Sequence, residues 1–276
     1  MTAYQNRGYL EEDYRLFHLR DSEPLSEIDY HYHEFHKVLL FVSGSVSYVI
    51  EGKHYPLNGG DVVLVPRGCV HKPEVGVSTP YERYVLYLYP GFLHSPDECP
   101  LDTCFALAEK RYSHILRLPQ EKCATLQEQF CALDSAIAQE RADAFGASLL
   151  AKTLVIQLLI ALARASLSEP ESPPAVYDDL IVRALQLVND ALAGDVRAEK
   201  LAEKLYVSKY HLMRRFKAET GYTLHQYVTN KRMLFARDLI ARGTPPTDAC
   251  FGCGFGDYSA FARAYKKQFG RPPRGG

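Results

Sequence analysis

Four groups of residues in this sequence have types and spacings that do chemistry. His31-x-His33 and the later His71 supply three imidazoles, enough to hold zinc with water as a fourth ligand. Cys250-x-x-Cys253 has the spacing of a redox pair or half a zinc site. Gly252, Gly254 and Gly256 form a glycine-rich turn of the kind that cradles phosphate. Finally, Leu212-x-Arg214-x-Phe216-Lys217-x-x-x-Gly221 is echoed by Phe261-x-Arg263-x-Tyr265-Lys266-x-x-x-Gly270, each matched position displaced by 49. That repeat means one structural unit occurs twice, each copy carrying cations that suit a DNA surface.

Context removes two of these. The Cys pair has no second C-x-x-C in the chain, and the nearest histidine is His225, so two zinc ligands are missing. Buried cysteines act as small hydrophobes, and seven of them without regular spacing or a signal-like segment at Met1–Asp13 predict free thiols in a reducing cytoplasm. No strand precedes the glycines, so the phosphate loop fails; they permit a tight turn and close helix packing.

For the histidines the test is register. Alternation at period 2 puts His31, His33, Phe35 and Lys37 on one face, with Glu34 and His36 on the other. That register puts the Lys37 cation on the face of the imidazoles. The expectation is therefore neither a metal nor another cofactor, and no catalytic residue.

The elements that must position these residues change along the chain. From about 30 to 90, short runs rich in Val, Tyr and Leu are punctuated by Ser43-Gly44, Glu51-Gly52, Asn58-Gly59-Gly60 and Pro66-Arg67-Gly68. Strands this short and even predict an antiparallel barrel or jelly roll. After Pro119 the period becomes helical: Leu126, Phe130, Leu133 and Ile137 form one stripe, and a second helix, about Ala142 to Leu167, is apolar on most of its circumference. Its most apolar stretch, Leu154–Ala163, is about half of what a bilayer span requires. These helices pack on the barrel or on a second copy of themselves, and a homodimer through them is expected.

Pro170, Pro173 and Pro174 interrupt the helical pattern at 168–177, the predicted linker between domains 1–167 and 178–276. Charge divides at the same place. Residues 1–177 hold 15 Lys+Arg against 23 Asp+Glu, and residues 178–276 hold 17 against 10, a basic module that suits a polyanion.

That module is all-helical, with the plan of a helix-turn-helix in each copy. Arg197–Leu205 is a helix, Tyr206-Val207 the turn, Ser208 the cap of the next helix and Gly221 its stop. Leu212 and Phe216 point to the core, leaving Tyr210, Met213, Arg214 and Lys217 outside. In the second copy Phe261 and Tyr265 are buried. Ser259, Ala262, Arg263 and Lys266 form the outer face, with Tyr258 at its edge and Lys267 within reach of phosphate.

From Asp178 onward the sequence resembles the DNA-binding domain of the arabinose-regulator (AraC/XylS) family of bacterial transcription factors. The resemblance rests on Leu201-Ala202-x-x-Leu205-x-Val207-Ser208-x-x-x-Leu212-x-Arg214-x-Phe216-Lys217. It rests more specifically on Gly254-Phe255-x-Asp257-x-Ser259-x-Phe261-x-Arg263-x-Tyr265-Lys266-Lys267-x-x-Gly270-x-Pro272. It implies two helix-turn-helix units joined by a long helix, about Thr223–Ala241, that enter successive major grooves on one face of the duplex.

The N-terminal half resembles a cupin, and the sensor domains of that family. His31-x-His33 followed by Gly60-x5-Pro66-x-Gly68-x-x-His71 has the spacing of the two cupin motifs, with Lys37 in place of the Glu of metal-binding cupins. The implied site is an effector pocket walled by His31, His33, Lys37, His71 and Tyr48, with contributions from among Tyr30, Tyr32, Tyr55 and Tyr87. Aromatic faces with His and Lys donors suit a sugar or a small carboxylate.

The expected protein is thus an α+β two-domain chain: a cupin-like β-barrel or jelly roll plus helices, then an all-α double helix-turn-helix. It would be a cytoplasmic, homodimeric transcriptional activator that binds operator DNA, a small-molecule effector and RNA polymerase. The alternatives are the same regulator with a barrel that only dimerises, and a metal-dependent cupin enzyme with a DNA-binding appendage.

Overall fold

The computed structural model describes residue 10 and residues 12–22, 28–76, 80–93, 99–168 and 175–274. It has two compact units, Met1–Val176 and Tyr177–Gly276. Of the linker expected at 168–177, residues 169–174 lie outside the described residues, as do residues 1–9 and 11 of the amino-terminal stretch.

The first unit begins with seven strands: β1 (Tyr14–Asp21), β2 (His36–Ser43), β3 (Val46–Ile50), β4 (Lys53–Pro56), β5 (Val62–Val65), β6 (His71–Val75) and β7 (Tyr81–Leu88). Helices α1 (Pro90–Leu93) and α2 (Thr103–Arg111), strand β8 (Ile115–Leu116) and helices α3 (Gln120–Arg141) and α4 (Ala147–Ser168) follow. One antiparallel sheet has the order β1-β7-β2-β5-β8, and in the other β3 lies between β6 and β4. The β3–β4 hairpin closes through Glu51 and Gly52, both at positive φ (48° and 73°), the backbone that the right-handed twist of a two-residue hairpin requires.

Alternation along β2 sets the layers. Leu39 and Phe41 face the second sheet and pack with Val46, Tyr48, Ile50 and Tyr55. Val38 and Leu40 face the other way, into a core shared with Phe105 of α2, Phe130 of α3 and Leu158 of α4. A strand buried on both faces reads as the continuous apolar run Val38–Val42, and Lys37, in register with Leu39, is directed between the sheets.

Three expectations need correction. The β region begins at Tyr14, not near residue 30, because β1 is an edge strand with only Leu16 well buried. The second helix starts at Ala147, after a connection in which Asp143 and Gly146 take positive φ (55° and 72°). The α3 stripe of Leu126, Phe130, Leu133 and Ile137 is buried within the unit, against α4 and the first sheet, so it is not available to a second copy. Helix α4, at 22 residues, is long and apolar enough by composition to cross a membrane, yet its Val155, Leu158, Leu159 and Leu162 belong to this core.

The second unit is helical: α5 (Asp179–Asp190), α6 (Ala198–Lys204), α7 (Lys209–Thr220), α8 (Leu224–Ala241), α9 (Pro246–Gly252) and α10 (Tyr258–Phe269). Its caps follow from the sequence. Asp178 accepts from Leu180 N (3.0 Å), and Ser208 from His211 N (3.2 Å). Thr223 and Gln226 make a reciprocal capping box, and Asp257 accepts from Ala260 N (2.6 Å).

Candidate nucleic-acid interface and barrel site

Helices α7 and α10 are built alike. Each has 12 residues, a side-chain N-cap and a C-terminal glycine in the left-handed region (Gly221, φ 74°; Gly270, φ 72°). The fourth and eighth residues, Leu212 and Phe216 in α7 and Phe261 and Tyr265 in α10, are buried. The second, fifth, sixth and ninth share another face, since such spacings recur on one side of a helix. That face carries Tyr210, Met213, Arg214 and Lys217 in α7, and Ser259, Ala262, Arg263 and Lys266 in α10. Both arginines and both lysines are exposed, Met213 and Ala262 are half-buried, and Tyr258, the first residue of α10, is half-buried at its edge.

Two sets of cations stand on and around these helices. Lys209 pairs with Glu199 of α6 (2.6 Å), Arg197 (2.8 Å) and Lys200 (2.7 Å) pair with Asp195, and Arg215 donates to Asp178. These pairs hold the elements of the first helix-turn-helix together. Arg214, Lys217, Arg263, Lys266 and Lys267 have no ion-pair partner among the described residues and point outward. A row of unneutralised cations on paired helices, with Tyr and Ser between them, is chemistry for a polyanion with readable base edges.

Arg232 of α8 was not singled out by sequence. Its guanidinium donates to Leu192 O (2.7 Å) and Gly194 O (2.6 Å), ahead of the first helix-turn-helix, and to Gly254 O (2.7 Å), in the turn of the second. One side chain thus ties both helix-turn-helix units to the connecting helix. Gly254 lies at φ +84°, and a Cβ there would meet Ala193 O at 2.6 Å and the Arg232 guanidinium carbon at 2.9 Å. Close approach of backbone to that arginine explains this glycine. Cys250 and Cys253 are buried free thiols, and burial, the largest cause, pushes the Cys253 thiol up to about 11.

In the first unit the five barrel residues come together. His31 and His71 face each other in an antiparallel bridge, with backbone hydrogen bonds of 3.0 and 2.8 Å, and Gly68 N donates to His33 O (2.8 Å). Ring centroids of His31, His33 and His71 are 4.4–5.0 Å apart, so the three imidazoles touch. His33 stacks on Phe35 (4.5 Å), Tyr48 lies parallel to His71 (6.2 Å), and Lys37 Nζ donates to Tyr48 Oη at 2.8 Å. Lys37 is only 1% exposed.

Of the other tyrosines, Tyr87 approaches His33 (5.7 Å), while Tyr55 donates to Tyr112 O (3.3 Å) and Tyr30 lies under Lys72 (4.8 Å). Burial first, then the charges of Lys37 and His31, hold the His33 and His71 imidazoles well below their ordinary pKa. They are neutral at physiological pH.

Comparison with known proteins agrees with both halves. An AraC-like ligand binding domain matches residues 14–159, and a helix-turn-helix domain matches residues 201–275. The HTH-type transcriptional activator RhaS of Citrobacter koseri is 28% identical over 263 residues, covering 91% of this chain and 88% of that protein. RhaS of Klebsiella pneumoniae is 24% identical over 279 residues, covering 99% of this chain and 96% of that one. Among solved structures, an apo ToxT variant from Vibrio cholerae aligns over 95% of this chain and 96% of its own, at 12% identity and a TM-score of 0.38. With its ligand-binding domain and its helix-turn-helix domain both matched, the chain belongs to the AraC family, which comprises DNA-binding transcriptional regulators and not enzymes.

Proposed function

We propose that the protein is a cytoplasmic transcriptional activator that reads an operator with α7 and α10 of one chain and is controlled by a small molecule bound in the barrel. The carrying observation is the shared register of the two helices. Arg214 and Arg263 are each the sixth residue of a 12-residue helix, and both stand outside without an ion-pair partner among the described residues. Base reading belongs to these arginines with Tyr210, Met213, Ser259 and Ala262, while Ser208 and Tyr258 at the helix starts and Lys217, Lys266 and Lys267 hold the backbone. Relatives named as activators support that direction of control, and with it a contact to RNA polymerase.

The effector site is assigned to Lys37, Tyr48 and the three histidines. Both nitrogens of His33 and Nε2 of His71 are buried without a hydrogen-bond partner among the described residues, and buried polar atoms of this kind suit a polar ligand. A sugar or a small carboxylate matches these donors and acceptors. The test is affinity of the full-length protein for its selected DNA site across a panel of sugars and organic acids. One class should change affinity about 5- to 150-fold, the effect of a coupling of about 1–3 kcal/mol. If none changes affinity or thermal stability, the barrel only dimerises.

The homodimer is assigned to apolar surface left uncovered by the first unit. Phe145 (108% exposed), Leu149 (71%) and Leu150 (47%) cluster at the start of α4. Exposed side chains of this size in sequence succession suit a second copy of the same surface.

A further inference from the structure

His31, His33 and His71 are arranged as ligands. The Nδ1 atoms of His31 and His71 sit 2.8 Å from Asp29 O and 3.0 Å from Cys69 O. A carbonyl only accepts, so each Nδ1 carries a proton and each Nε2 is the nitrogen left to face the cluster. One nitrogen from each ring lies within 4.8 Å of the other two, at buried positions. Both nitrogens of His33 and Nε2 of His71 are buried without a hydrogen-bond partner among the described residues.

Ring nitrogens converging at this spacing suit a single electrophile held between them. Imidazoles held through the far nitrogen by a backbone carbonyl are the usual supports of a metal centre. Zinc–nitrogen bonds of about 2.0–2.1 Å place tetrahedral ligand atoms roughly 3.4 Å apart, a closure within reach of small ring rotations.

Lys37 stands in place of the Glu of metal-binding cupins, which argues for a metal-free barrel. Its ammonium, however, is turned to Tyr48 Oη, and the three nitrogens converge without it. We propose that His31, His33 and His71 bind one divalent first-row metal ion of the zinc class, leaving an open fourth position on the side of Lys37 and Tyr48. The Lys37 charge weakens the site and selects a hydroxide or another oxygen anion for that position. The inference shares the barrel with the effector reading, but it is tested without effector, so its failure would leave that reading standing.

The experiment uses the full-length protein, stripped with a chelator and dialysed against buffered Zn(II), with metal counted by mass spectrometry. Co(II) absorption serves as a second readout, because thiolate ligation by the cysteines adds a sulfur-to-metal band that imidazole ligation lacks. About one equivalent per chain is expected, without the sulfur band, reduced to background in His33→Ala and His71→Ala. Because removing a buried imidazole also lowers stability, Lys37→Met is the decisive companion: removing the like charge should tighten Zn(II) binding by about fivefold or more. Sub-stoichiometric binding, an equivalent retained in both histidine variants, or unchanged or weaker affinity in Lys37→Met would overturn the proposal.

Discussion

Single side chains in this protein divide by what neutralises them. Lys209, Arg215, Arg197 and Lys200 have acidic partners and act within the fold, while Lys267 has none among the described residues and meets solvent on α10. A lysine on phosphate supplies affinity without sequence information. Lys267→Ala should therefore weaken binding equally on selected and scrambled duplexes and lower the slope of log affinity against log salt by about one unit. Titrations at two salt concentrations check this, and a loss confined to the selected duplex would place Lys267 on a base. Gly254 is a residue of the opposite kind, required by geometry alone. Gly254→Ala should destabilise the second unit by at least about 1–3 kcal/mol, from the positive φ and the contact with Ala193 O, read as a fall in thermal midpoint.

At the scale of elements, periodicity identified which faces are buried but not what buries them. The α3 stripe was legible as a helix face from Leu126, Phe130, Leu133 and Ile137, yet the same spacing serves a barrel and a second subunit equally well. Phe130→Ala should accordingly cost about 3–5 kcal/mol of the first unit's stability and leave any self-association of the surviving folded protein unchanged. Denaturation and sedimentation measured together distinguish these effects. Helix α7 was legible through Ser208 and Gly221, and α10 through its repeat. Strand β1 was missed because an edge strand needs little apolar sequence, and Arg232 because one arginine within a long helix looks like solvated surface. Its role emerges only when three carbonyls, far apart in sequence, converge on it. Arg232→Ala should lower the melting temperature of the second unit, and it should weaken binding to a full two-part DNA site more than to either half alone.

For the whole molecule, the sequence revealed both classes of unit and the acidic and basic halves; the closeness of His31 and His71 in the barrel required the bridge between them. Assembly is the least legible property, because exposed Phe145 and Leu149 break no rule of helical pattern. If the proposed homodimer forms through this surface, Phe145→Asp with Leu149→Asp should leave only monomer in sedimentation at micromolar concentration, and a dimer that persists would place the interface elsewhere. The proposed function requires one chain to carry two helices that read sequence. The most direct measurement is selection of sites from a randomised duplex pool by the full-length protein, repeated with Arg214→Ala and with Arg263→Ala. The wild type should enrich a site with two conserved segments centred about one helical turn apart, roughly 10 base pairs. Each variant should lose preference in a different segment and bind the wild-type site about 5- to 150-fold more weakly. Enrichment of a single segment, or equal losses on selected and scrambled duplexes for both arginines, would contradict it.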